Sequence, residues 1–369
     1  MKRIKHYILL CMLLLLTFIG CDVHEFPDDN SEELVPVTLH LDVSIPKPIY
    51  QEMFFTRSNA PEDNDKPHSI RHIINAYRTD ETRSSSRQAD ASFVITREID
   101  DSLDFSAEIQ LPEGNYDLCV WSDYVNPNSS EDKYYNTSDF SEIILMDRNN
   151  HSGSNNYRDA FRGYASVEVK NLIYYTNVVS SRAVCNEAEI DMRRPMGKFK
   201  FIATDVEAFV TRAIQRMAEK QKIPQKLDEL PTDKKAALDY LLEIININDY
   251  KIIFRYNTFM PCSFNMFTDK PADSWTGISF ESSMMLEENG EMSIGYDYIF
   301  VNGKETTMSI SFEIYDPDGE KVASITPYDV PIVRNKITVV KGAFLTTLAS
   351  GGVSINPGYE GDDYNIEIF

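Results

Sequence analysis

A thiol that directly follows a small residue at the end of an apolar run is placed for acylation, and Cys21 is such a thiol. Lys2, Arg3 and Lys5 precede an apolar run from Tyr7 to Ile19, and Gly20 stands before the cysteine. That is the order of a secretory signal: charge, apolar stretch, small residue at the cut. The run falls short of the roughly 20 apolar residues that cross a bilayer, and the polar stretch from Asp22 to Glu33 follows at once. Phe18-Ile19-Gly20-Cys21 resembles a lipobox, with Phe18 in place of the usual leucine. Each buried methylene of an acyl chain contributes about 0.8 kcal/mol, so more than one chain gives stable anchoring to a membrane. Residues 1–20 are therefore read as a signal peptide, Cys21 as the lipidation site and residues 21–35 as a lipidated acidic tether too polar to bury a core.

The remaining reactive residue types form no constellation. Six histidines are scattered through the chain without an H-E-x-x-H pattern, and His68 and His72 are read as an incidental pair. No G-x-S-x-G elbow, phosphate loop or G-x-G-x-x-G turn is present. Asp28-Asp29 and Asp362-Asp363 lack the glycine and terminal glutamate of a calcium loop. Past the anchor, Cys119, Cys185 and Cys262 are odd in number and far apart, so no disulfide framework is legible, and Cys119 is expected to be a buried free thiol. The expectation is a non-enzymatic protein with no cofactor and no metal.

Charge excludes one class of partner. The net charge is −22, and loss of the three cations in the signal makes it −25. A polyanion would be repelled, because affinity for nucleic acid comes largely from Lys and Arg at phosphates.

The elements that must position any site are strands. Val37, Leu39, Leu41, Val43 and Ile45 alternate with polar residues, the period of a half-buried strand. Similar segments run from Ile70 to Arg78, Ala91 to Thr96, Leu103 to Gln110, Gly114 to Asp123 and Ala165 to Val169. Glu187 to Asp191 and then Met196 to Ala203 close this first half. The stretch from Asn126 to Asn156 is polar and reads as surface loops around the apolar run Ile143 to Met146. Trp121, Tyr124, Tyr134 and Tyr135 are candidates for a sugar-stacking platform there. Helical spacing occupies Val206 to Ile245 with breaks at Pro224 and Pro231, and Thr232 is the expected cap of the second helix. Strand patterns resume at Lys251 to Tyr256, Gly277 to Phe280 and Glu291 to Phe300. Met308 to Tyr315, the turn Asp316-Pro317-Asp318-Gly319 and Lys321 to Ile325 read as a hairpin. Val330 to Phe344 is expected as a further strand region and Tyr364 to Phe369 as a closing strand.

Several segments in order resemble the fimbrillin-like lipoproteins of Bacteroidales, which include accessory and anchor subunits of type V pili. They are Leu111-Pro112-Glu113-Gly114-Asn115-Tyr116-Asp117-Leu118-Cys119-Val120-Trp121, Arg194-Pro195-Met196-Gly197-Lys198-Phe199 with Phe201-Ile202-Ala203-Thr204-Asp205 close behind, Pro261-Cys262-Ser263-Phe264-Asn265, Pro331-Ile332-Val333-Arg334-Asn335-Lys336 and Ser350-Gly351-Gly352-Val353. The resemblance implies a mainly β protein of two transthyretin-like Greek-key sandwich domains with a short helical insertion. Residues 36–204 would form the N-terminal sandwich, residues 205–369 the C-terminal one, with the insertion at 206–247. It implies a protein anchored by lipid in the outer membrane, exposed at the surface, whose partners are other fimbrial subunits or a receptor on a host or bacterial surface. In related subunits an arginine-directed cut removes a first strand, and Arg57, Arg71, Arg78, Arg83 and Arg87 stand where such a cut could fall. Asp101-Ser102-Leu103 resembles the O-glycosylation pattern of these bacteria, with Ser102 as acceptor. The alternative is a glycan-binding lipoprotein of a polysaccharide uptake system, motivated by Trp121, Trp275 and the tyrosine-rich loop.

Overall fold

The computed structural model describes residues 33–43, 68–79, 88–99, 104–171, 186–220, 222, 231–348, 355–359 and 364–368. The chain is mainly β, as expected. The first half builds two facing sheets. One has the order β4 (Phe105–Pro112), β1 (Leu34–Asp42), β9 (Glu187–Asp191); the other runs β3 (Ala91–Glu98), β2 (Ser69–Arg78), β5 (Gly114–Val125), β8 (Ala160–Val169). Strict alternation makes this possible. Val35, Val37, Leu39 and Leu41 point inward from β1 and meet Ile74, Ala76, Leu118, Val120 and Phe161 of the opposite sheet in one apolar core.

The second half repeats the plan on a larger scale. Its first sheet has the order β17 (Met285–Leu286), β18 (Met292–Phe300), β10 (Met196–Ala203), β21 (Ile337–Gly342), β23 (Tyr364–Ile368), β22 (Ile355–Tyr359). Its second sheet runs β16 (Ser279–Ser282), β11 (Lys251–Tyr256), β19 (Glu305–Tyr315), β20 (Lys321–Val333). Phe199, Phe201, Phe254, Phe312 and Phe344 fill the space between them, and Phe201 lies edge-on to Phe312 with ring centroids 5.5 Å apart. The β19–β20 hairpin turns at the expected Asp316 to Gly319, where Gly319 takes a φ of +81.

Several expectations need correction. Met196 to Ala203 does not close the first half: as β10 it pairs antiparallel with β18 and parallel with β21. Val330 to Phe344 is two strands, because the turn at Arg334 to Lys336 places Asn335 at a φ of +60 and reverses the chain. The second helix is capped by Asp233 and not Thr232, since the Asp233 carboxylate accepts the Ala236 amide at 2.9 Å.

That helix, α2 (Lys234–Ile245), follows α1 (Val206–Glu219), and both fall in the expected insertion. α1 buries Val206, Phe209, Val210 and Ala213, with Phe209 edge-on to Tyr250 at 5.2 Å. Asp205, just before α1, accepts the amides of Leu345 and Thr346 and so ties the helix start to the chain beyond β21.

The stretch expected to be surface loops is instead a strap from the first half packed on the second. Its strands β6 (Tyr135–Asn136) and β7 (Ile143–Leu145) join β13 (Ser263–Asn265) and β14 (Lys270–Pro271) in a small sheet, beside a ribbon of β12 (Met260–Pro261) and β15 (Ser274–Trp275). Polar composition misleads here because the polar groups are bonded inside: Ser154 Oγ meets Ser282 Oγ at 2.7 Å, and His151 Nε2 meets Asp297 Oδ2 at 2.7 Å.

Candidate functional site

Strand β1 is the first described element and the middle of its sheet. It runs antiparallel to β4, with Leu39 opposite Ala107 and His40 opposite Ser106. It runs parallel to β9, with Leu39 beside Ala188 and Leu41 beside Ile190. In that sheet β4 and β9 pair only with β1 among the described strands. Withdrawal of β1 would therefore strip both neighbours of their hydrogen-bond ladder and leave two rows of open N–H and C=O groups.

The seat is furnished at both ends. The Asn186 carbonyl accepts the Thr38 amide at 2.8 Å, and its side-chain amide reaches the Pro36 carbonyl at 3.4 Å. Asn171 donates to Glu33 at 2.7 Å. At the far end Asp104 accepts the Val43 amide at 3.0 Å, and the Asp42 carbonyl accepts the Met192 amide at 2.9 Å. Val35, Val37, Leu39, Leu41 and Val43 are all buried, three of them at 1% exposure or less. At roughly 1.5–3 kcal/mol for each buried aliphatic side chain, their burial is an upper bound near the whole stability of a domain. A seat emptied of β1 must be refilled by a strand of the same alternation.

The wall facing the seat carries a buried histidine. His72 on β2 has its Nδ1 2.7 Å from Ser122 Oγ and stacks on Phe105 of β4, ring centroids 4.9 Å apart. Burial, aided by the charge of Arg97, pushes its pKa down to about 3. On the other face of the same sheet Arg71 is buried and forks onto Asp123 with bonds of 2.9 and 2.7 Å, so it is no accessible point for a protease.

The expected sugar-stacking platform is not on the surface. Trp121, Tyr124, Tyr134 and Tyr135 are brought together, but their exposures are 0%, 0%, 8% and 0%. Trp121 lies edge-on to Tyr135 at 5.4 Å, and the Tyr135 hydroxyl donates to the Arg158 carbonyl. Tyr134 and Tyr135 belong to the strap itself, and with Trp121 and Tyr124 they pack the seam between the halves and offer no face to a ligand. Cys119 and Cys262 are buried free thiols, both pushed up to about 12 by burial, as expected for Cys119. Cys21, Ser102, Cys185, Arg57, Arg83 and Arg87 lie outside the described residues.

The polar centre that sequence reasoning missed lies where the strap meets β18. Asp297 accepts from Arg158, from His151 at 2.7 Å and from the Tyr256 hydroxyl at 2.5 Å. Burial alone would raise the pKa of this carboxyl, but Arg158 and His151 outweigh it and hold Asp297 below the ordinary value. The group is fully enclosed and serves as a latch between the halves. Nothing in the local sequence announces it, because Arg158 and His151 lie 139 and 146 residues from Asp297 and Tyr256 lies 41 away. Among the described residues no group of three or more His, Cys, Asp or Glu side chains is placed to hold a metal, and no helix is long and apolar enough to cross a membrane.

The fold and the seat define a mainly β protein of paired sheets whose first described strand completes a sheet. The chain belongs to a family of unknown function, DUF6562, whose profile matches residues 31–368. No curated protein matches the sequence. Among solved structures it is similar to the fimbrial anchor protein Mfa2 from Porphyromonas gingivalis, at 8% identity over 79% of this chain and 82% of that one, with a TM-score of 0.34. It is also similar to a fimbrial assembly protein from Parabacteroides distasonis, at 9% identity over 87% of this chain and 94% of that one, again with a TM-score of 0.34.

Proposed function

We propose that this chain is a lipid-anchored cell-surface structural protein, a fimbrial accessory or anchor subunit that acts in adhesion or pilus assembly by strand addition. The observation that carries the reading is β1: it precedes every other described element, yet the two strands beside it depend on it for their pairing. β1 can leave without unthreading any other described strand. A donor with apolar residues at every second position could take its place by the same backbone bonds. The resemblance carried by the segments quoted above supports the same reading, as does the acylatable Cys21. Two domains divide in this account between β9 and β10, near Met192 to Pro195, because β10 pairs with the second half. The uptake reading loses Trp121 and the tyrosines Tyr124, Tyr134 and Tyr135, which are buried, and keeps only the half-buried Trp275.

Affinity purification of the chain from crosslinked cell envelopes tests the proposal. Co-purification of fimbrial subunits, with the chain removed from intact cells by proteinase shaving, is the expected result. Full protection from shaving beside a cleaved surface control, or a pull-down free of fimbrial subunits, contradicts it.

A further inference from the structure

The seam between the halves opens on one side into a cleft of about 440 Å³. Five cations line it: Arg162 from β8, Arg193 and Arg194 from the link between β9 and β10, Lys304 before β19 and Arg334 after β20. In a chain with a net charge of −22, this convergence is against the trend of the surface. The acids present do not neutralise it. Arg162 and Arg334 share the one carboxylate of Asp269, at 2.7 and 2.6 Å. Arg193 meets Asp191, and Arg194 turns away onto the buried Asp159 at 2.8 Å. Five cations against three carboxylates leave two positive charges in excess.

Two further details point the same way. Arg162 Nε is buried and has no hydrogen-bond acceptor, a cost a protein ordinarily avoids. Burial and the nearby charges of Arg334 and Arg193 also depress the guanidinium, so the group is short of negative charge. A cavity of this size holds a ligand of one or two sugar rings, and planar guanidinium forks suit the paired oxygens of phosphate or carboxylate.

We infer that this cleft is a binding site for a small oxyanion-bearing ligand, a phosphorylated or uronic sugar, held by Arg162, Arg193, Lys304 and Arg334. Asp269 acts as the internal counter-ion that spaces Arg162 and Arg334 before the ligand arrives. The inference stands apart from strand addition, since no residue of β1 lines the cleft.

Calorimetry on the purified full chain with inorganic phosphate, glucose 6-phosphate, glucuronate and neutral glucose tests it. Heat with at least one anion, none with glucose, and affinity that falls as salt screens the exposed charges is the expected result. Tighter binding of glucose 6-phosphate assigns the phosphorylated source, and tighter binding of glucuronate the acidic polysaccharide. The exposed pair Arg193→Gln with Lys304→Gln should weaken that affinity by about tenfold, an ordinary share for lost charge-assisted bonds, while thermal unfolding stays as in the parent. Silence with all three anions at millimolar concentration, or binding that the double substitution leaves unchanged, overturns the site.

Discussion

His151 in the strap and Asp297 on β18 face each other across the two halves of the chain, with Nε2 2.7 Å from Oδ2. Arg158 and Tyr256 complete the ring of donors, so one buried carboxylate joins two elements that are distant in sequence. Asp297→Asn keeps the shape and removes the charge, leaving Arg158 enclosed without its counter-ion. Loss of one partner of a buried pair costs roughly 3–5 kcal/mol. Urea unfolding should show a midpoint lowered to match, and a midpoint equal to that of the parent would remove the latch from the account.

His72 makes the first sandwich sensitive to acid. Its pKa is about 3 in the fold and 6.5 as a free side chain, so below 6.5 the unfolded chain takes up a proton that the folded chain refuses. The stability it contributes is complete above 6.5 and drains away as pH falls towards 3. Each pH unit in that window is worth about 1.4 kcal/mol. Relative to His72→Gln, the parent should lose on the order of 2 kcal/mol between pH 7 and 5, read as the difference between two unfolding curves. Equal pH slopes for the two proteins would show His72 to be solvated.

Gly197 on β10 passes so close to its neighbour that a methyl group there would lie 2.3 Å from the Val333 carbonyl oxygen and 2.8 Å from Ile332 Cγ2. Backbone cannot swing aside as a side chain does. Gly197→Ala should cost about 1–3 kcal/mol, the usual range for overpacking, with a fall in the thermal midpoint. An unchanged midpoint would mean that β10 and β20 sit farther apart.

These tests touch the parts of the molecule that a linear reading handles least well. Alternation is a local signal, so Lys251 to Tyr256 and Glu187 to Asp191 were legible to the residue. Strand partners are not local: the parallel pairing of Leu39 with Ala188 joins residues about 150 positions apart, and no pattern within either strand specifies it. The same gap sent Met196 to Ala203 to the wrong half. Polarity misled in the strap, because Ser154, His151 and Asn156 meet their hydrogen-bond partners inside the protein and look from sequence like residues that meet water. Trp121 and its neighbouring tyrosines show the converse, with rings in a polar context that are core. The cationic cleft was illegible for the simplest reason: Arg162, Lys304 and Arg334 come from three separate strand ends.

The central claim is that β1 can yield its seat to another strand. His40 and Ser106 face each other on the outer side of that pairing, with Nδ1 2.9 Å from Oγ. Cysteines at directly opposed positions of this kind lie within reach of a disulfide. The measurement is subunit capture at the cell surface by the variant His40→Cys with Ser106→Cys, scored by crosslinking in the oxidised and the reduced state. The account predicts a folded, exported protein that captures no fimbrial subunit while the bond is closed and regains capture on reduction. Undiminished capture with β1 covalently held in place would contradict it.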